Sequence, residues 1–180
     1  PDYIKSSGPI DFGSVVWWKT PLLRMAAKNF LSKGASPDFF DFKKKHESWL
    51  DNYAVFMSIK EFYDAQARDA GLDGKLWNNY WPTELATFQH KAVHAWAESH
   101  AEGIECHKAI QYFFFAQWKA LKRYANDKGI SIIGDIPIFV ASDSADVWAN
   151  QRLFQLNHDG KPKFVAGVPP DYFSATGQLW

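Results

Sequence analysis

Two groups of residues in the last third of the chain have the types and spacing to do chemistry. The first is a single carboxylate, Asp135, inside an apolar run, Ile130-Ser131-Ile132-Ile133-Gly134-Asp135-Ile136-Pro137-Ile138-Phe139-Val140. A carboxylate in a buried strand is costly unless it is paired and hydrogen-bonded. Two readings of Asp135 stand. It is either half of a structural ion pair with an arginine elsewhere, or a site residue near the C-terminal mouth of a barrel strand, where active sites sit. The second group is the loop Gly167-Val168-Pro169-Pro170-Asp171-Tyr172-Phe173-Ser174-Ala175-Thr176-Gly177-Gln178-Leu179-Trp180. Its two prolines stiffen the entry and Gly177 supplies a turn. A stiff loop presents side chains at low ordering cost. Asp171 and Gln178 offer hydrogen-bond partners for hydroxyl groups. Tyr172, Phe173 and Trp180 offer flat faces for the C–H side of a sugar ring. The competing reading is a loop that packs its own rings. Two adjacent aromatics beside Asp and Ser in a loop favour binding.

Other reactive residue types do not assemble into motifs. His90 and His94 share a helix face, but Lys91 follows His90 where a metalloprotease helix carries Glu, and no Cys/His cluster lies nearby. No metal site is expected. His100 and His107 read as helix-surface or helix-end residues. Cys106 has no base beside it in sequence and no nucleophile motif. No glycine-rich phosphate loop is present, which argues against a nucleotide enzyme.

The elements that must position Asp135 and the loop are mostly helices. Thr20 with Pro21 reads as a helix start, and Gly34 closes that helix. Ser36 and Pro37 open the next, which runs toward Trp49. Asp51 reads as the cap of a third helix carrying Ala54, Phe56, Met57, Ile59, Phe62 and Tyr63, with Gly71 after it. Leu72 to Pro82 is an irregular aromatic connector. A fourth helix is predicted over 83–100. A fifth, over 102–128, carries Ile110, Phe113, Phe114, Trp118, Leu121 and Tyr124 at helical spacing. Gly129 ends it, and a buried strand follows, with Pro137 near its end. Asp143-Ser144 caps a short helix through Trp148. Leu153–Leu156 and Lys163–Ala166 flank Asn157-His158-Asp159-Gly160, a hairpin pattern with an Asp-Gly corner. One parallel strand cannot make a sheet alone, so the pattern reads as a segment of a larger α/β domain.

Composition agrees with a globular chain. Hydrophobic residues make up 47% and charged residues 22%, which excludes a disordered polymer. Twenty basic and twenty acidic residues cancel, so a nucleic acid finds no electrostatic footprint. The lone cysteine forbids an intrachain disulfide and suits a reducing compartment. No apolar run reaches membrane-spanning length, and Pro1-Asp2-Tyr3-Ile4-Lys5 is not a signal peptide. The expected location is the cytoplasm. Aromatic residues reach 17%, including nine tryptophans. Most of these must be core, with a few left over for a sugar cleft.

At the loop the chain acquires a family likeness. Gly134-Asp135-Ile136-Pro137-Ile138-Phe139-Val140, Asp143-Ser144-Ala145-Asp146-Val147-Trp148-Ala149, and the run from Ala166 to Trp180 closely resemble the 4-α-glucanotransferases, or amylomaltases, of glycoside hydrolase family 77. So do Ile10-Asp11-Phe12 with Trp18-Lys19, Asp51-Asn52-Tyr53-Ala54, Trp77 with Trp81-Pro82, and Gln117-Trp118. The resemblance covers nearly the whole chain.

The resemblance implies a fold and a chemistry. The fold is α/β, a fragment of a (β/α)8 barrel: a helical insertion over 1–128, one barrel strand within 129–140, and a hairpin and substrate loop over 141–180. The chemistry is cofactor-free transfer of α-1,4-glucan segments between maltodextrins. Family members retain configuration through a glycosyl-enzyme, with two carboxylates about 5–5.5 Å apart. The likeness places both carboxylates after Trp180 and two barrel strands before Pro1. No catalytic residue is therefore expected here, and the isolated chain is expected to be inactive. Asp135 matches an acidic position that orders the site. Asp171, Tyr172, Phe173, Gln178 and Trp180 match the loop that contacts the glucan, whereas Ala175 departs from the acidic residue often seen there. The implied partners are α-1,4-glucan oligosaccharides and the rest of the barrel, with no nucleic acid or membrane. Two other readings remain open: a non-catalytic maltodextrin-binding segment, and a helical interaction domain whose aromatics are core.

Overall fold

The computed structural model describes residues 8–71, 76–136 and 139–179. It is mostly helical, with one small antiparallel sheet. Helix α1 spans Phe12–Ser32. It starts eight residues before the predicted Thr20 start, because the Asp11 side chain accepts a hydrogen bond from Ser14 N–H and caps the end. Pro21 then lies inside the helix. Its missing N–H removes one backbone bond without breaking the helix.

Helix α2 spans Pro37–Asp69, 33 residues in one piece. The predicted break at Asp51 does not occur. Leu50 and Ala54 bury a continuous stripe either side of it, and Asp51 instead receives Lys108 Nζ at 2.6 Å. Its carboxylate joins two helices rather than starting one.

After a one-turn 3-10 helix, Trp77–Asn79, the predicted fourth helix is two: α3, Thr83–Ala86, and α4, His90–Ser99. Phe88 breaks them with φ +52°. That strained backbone turns its ring onto Trp148, 4.5 Å between centroids. Helix α5 spans Ala101–Asp127. Gly129, at φ +75°, ends it and lets Ile130 N–H return to the Ala125 carbonyl. The five-residue α6, Ala145–Ala149, is capped by Ser144, whose Oγ accepts from Val147 N–H.

Two cores hold these helices. The larger joins α2, α3, α4 and α6 through Phe56, Ile59, Trp77, Trp81, Trp96 and Trp148. Three of its indoles donate to the chain: Trp77 to Ser142 O, Trp96 to Ser58 Oγ, and Trp148 to Leu85 O at 2.7 Å. Trp81 Nε1 is buried without a partner among the described residues. The smaller core packs Ala27, Phe39, Cys106 and Ala109 between α1, α2 and α5.

Two expectations fail in the last third. Residues 130–136 form no strand and are exposed, with Ile133 at 94%. A strand exists only through its partners, and no described residue pairs with this run. Pro137 and Ile138 lie outside the described residues. The predicted hairpin at 153–166 reduces to one bridge, Leu156 with Pro162. The sheet forms further on, from β1, Gly167–Val168, and β2, Gln178–Leu179. On α5, Phe114, Trp118, Leu121 and Tyr124 are exposed rather than core.

Candidate functional site

The loop singled out in the sequence is the connection of this small sheet. Gly167 pairs with Leu179 and Val168 with Gln178, leaving residues 169–177 as the turn. Two glycines are obligatory for that closure. A Cβ on Gly167 would stand 2.6 Å from the Gln178 carbonyl oxygen. One on Gly177 would stand 2.6 Å from the Val168 carbonyl oxygen, and Gly177 has φ +74°.

Asp171 holds the turn together. Its Oδ1 accepts from Phe173 N–H at 2.9 Å and Ser174 N–H at 2.8 Å, and its own N–H donates to Ser174 O at 2.9 Å. This is an Asx turn. Ser174 Oγ donates to Gly177 O at 2.7 Å and closes the far side. Half of the Asp171 carboxylate is therefore spent on the loop itself.

The consequence appears at the next two residues. Tyr172 is 96% exposed and Phe173 87% exposed. Their rings meet edge to face, 5.4 Å between centroids. Beyond that mutual contact, neither ring packs back into a core of the described residues. A braced turn holds two aromatic faces toward solvent.

Gln178 is exposed on β2, in register with Val168. Asp171, Tyr172, Phe173 and Gln178 therefore share one hairpin. Asp135 does not join them: it is exposed, and its Oδ1 accepts from Ile136 N–H at 2.8 Å. Among the described residues Asp135 is not buried and no ion-pair partner reaches it. Trp180 lies outside the described residues.

The segment leading to the hairpin is fastened to the helices by polar contacts that local sequence reading missed. Lys60 on α2 binds both oxygens of Asp143, at 3.0 and 2.8 Å, and lies 3.4 Å from Asp64. Tyr80 donates its hydroxyl to Asp64. Burial first, and then Asp64, push the Tyr80 hydroxyl far above the usual phenol range, so it stays a donor. Asn78 Nδ2 donates to Gly160 O at 2.9 Å, and Gln151 Nε2 to Ala86 O at 2.7 Å.

A second missed group sits between α1, α2 and α5. Glu61 receives Arg24 Nη2 at 2.8 Å and His107 Nε2 at 3.2 Å. His107 is not a surface residue; its side chain is only 12% exposed. Burial lowers its pKa and outweighs the opposing pull of Glu61. Cys106, beside it, is also buried, and burial raises its thiol pKa, so it is a poor nucleophile. His94 Nδ1 lies 3.5 Å from Glu98 on the exposed face of α4. Among the described residues no group of three or more His, Cys, Asp or Glu could hold a metal ion. None of the described helices is long and apolar enough to cross a membrane.

The family model described as 4-alpha-glucanotransferase matches residues 3–180. The chain belongs to the 4-alpha-glucanotransferase family. Its curated relatives include the 4-alpha-glucanotransferase of Thermus thermophilus, 44% identical over 177 residues, covering 96% of this chain and 33% of that protein. That of Streptococcus pneumoniae serotype 4 is 39% identical, covering 99% of this chain and 34% of that protein. The fold agrees. An amylomaltase from Streptococcus agalactiae, solved in complex with acarbose, superposes with a TM-score of 0.81 at 39% identity, covering 95% of this chain and 33% of that one. The chain thus spans about a third of the length of these family members.

Proposed function

We propose that the whole protein transfers α-1,4-glucan segments between maltodextrins with retention, through a glycosyl-enzyme, and that this chain supplies an aromatic loop that contacts the glucan. The observation that carries this reading is the braced turn at 169–177. Asp171 spends Oδ1 on two backbone N–H groups, and Tyr172 and Phe173 stand almost fully exposed. Exposing two large rings on an ordered turn is unfavourable unless something covers them. A glucan does so with its C–H faces. The family membership supports the same ligand, as does the acarbose complex of the Streptococcus agalactiae relative. Gln178 and the outer oxygen of Asp171 then face sugar hydroxyls, and Trp180 extends the stacking surface.

In this reading residues 1–128 are a helical insertion and 129–140 a barrel strand carrying Asp135. Residues 141–180 form the segment overhanging the cleft. Two features support the barrel. Ile130, Ile132, Ile133 and Ile136 are exposed around Asp135, as flanking strands and helices would require. Phe114, Trp118, Leu121 and Tyr124 make an exposed apolar face on α5 that the rest of the barrel would cover. The catalytic carboxylates belong to that remainder, so this chain alone does not disproportionate maltotriose. A cytoplasmic location fits the single cysteine.

The test is Tyr172→Ala with Phe173→Ala. Both rings are exposed, so stability changes by less than about 0.5 kcal/mol. Maltodextrin contact at the hairpin, followed by NMR shifts of the Ser174 and Gln178 amides, is lost. Unchanged contact, or a large loss of stability, refutes the reading.

A further inference from the structure

We propose that the cleft between α1, α2 and the start of α5 is a second binding site, for one or two rings of a neutral sugar. Its volume is about 800 Å³, and residues 130–179 contribute nothing to its wall. It is therefore separate from the hairpin. Clefts of roughly 300–1,000 Å³ are the size that holds small organic ligands.

The wall selects the class of ligand through its charges. Arg24 and His107 are both engaged by Glu61, and Lys28 Nζ lies 3.5 Å from Glu102. The cations and carboxylates of the wall are already matched, so no surplus charge favours an ion of either sign. The pairs nevertheless keep capacity. A guanidinium has five N–H donors and a carboxylate about four lone-pair sites, so Arg24 with one contact and Glu61 with two both keep hydrogen-bonding capacity. Adjacent donors and acceptors of this kind match vicinal hydroxyl groups, each of which gives one hydrogen bond and takes others.

The apolar part of the lining supplies the other half of sugar recognition. It includes Phe62, Ala65 and Ile110. The Phe62 ring packs at a steep angle against Trp96, 5.3 Å between centroids, and against Tyr63 and His100, yet stays 44% exposed. An apolar ring beside paired charges fits a molecule with one C–H face and one hydroxyl edge.

Gly103 points the same way. It lies in the first turn of α5, with no positive φ. A methyl group there would meet only Ser58 Oγ, at an ordinary 3.9 Å. Neither backbone strain nor a clash excludes alanine, which the helix would prefer. The glycine leaves the cleft open above Ser58, a buried residue whose Oγ already accepts from Trp96 Nε1.

The test is titration of the ¹⁵N-labelled chain with maltotriose, read at two sets of amides. Saturable shifts are expected at Phe62, Gly103 and Ile110, with a Kd of about 1–10 mM, independent of those at Phe173 and Ser174. Gly103→Leu fills the cleft and abolishes the first set only. Should that variant fail to fold, Arg24→Met, a half-exposed change, weakens the first set at least several-fold. The Tyr172→Ala, Phe173→Ala chain loses the second set only. Cleft amides that stay unmoved at about 50 mM maltotriose, or that still shift in Gly103→Leu, overturn the cleft proposal. Shifts at the cleft without shifts at the hairpin refute the loop reading instead.

Discussion

Trp148 is the side chain on which the position of the hairpin segment depends, and removing it has a calculable cost. Its side chain is fully buried. Its ring lies 4.5 Å from Phe88, 5.7 Å from Phe56 and 6.1 Å from Trp81. Its Nε1 donates to Leu85 O. Trp148→Phe removes that donor, but the Leu85 carbonyl still accepts from Phe88 N–H at 3.2 Å. The carbonyl is not orphaned, so the polar loss is near the low end, about 1 kcal/mol. The missing ring atoms leave a void that adds about 1 kcal/mol. Trp148→Ala leaves a far larger void and costs about 3–5 kcal/mol. Urea denaturation followed by far-UV circular dichroism measures both. With a slope of about 1–3 kcal/mol per molar urea, the Phe variant moves the midpoint by roughly 1 M. The Ala variant also exposes the amides of 145–149 to hydrogen exchange. An Ala variant losing less than about 1.5 kcal/mol would show that this segment is not held by the tryptophan cluster.

Two further outcomes follow from groups around the site. His107 is held neutral by burial, so its folded pKa lies below the 6.5 of the free side chain. The unfolded chain then binds the proton first, and stability falls as pH drops below about 6.5, down to the lowered folded value. His107→Gln removes this part of the slope, and urea midpoints between pH 7.5 and 5 compared for the two chains check it. Equal slopes would mean that His107 is not the group responsible. Gly177→Ala forces an L-residue into the left-handed region, about 1–2 kcal/mol, with its Cβ 2.6 Å from Val168 O. The cross-strand contacts of Val168 with Gln178 are expected to vanish from NOE spectra. The body of the chain should melt as before, since the hairpin is exposed. Retained contacts would contradict the close packing at that glycine.

What the sequence by itself determined is whatever short-range chemistry decides. The cap at Ser144, the glycine stop at Gly129, the extent of α5 and the composition of the 167–180 loop were legible because a cap, a positive φ and an Asx turn each involve residues within about four positions. The family was legible for the same reason: its signature is local. The tertiary structure decided everything that depends on a distant partner. Asp51 carries a cap residue's side chain, yet Lys108 and a continuous buried stripe make it helical. His107 looks like a surface histidine, yet Arg24 and Glu61 from two other helices enclose it. Ile130–Ile136 reads as a buried strand, and as a sequence pattern it is one. A parallel strand pairs only with strands a crossover of a dozen or more residues away, and no described residue pairs with this run. Periodicity states which face a segment would bury. Only the packed chain states whether a neighbour is there to bury it.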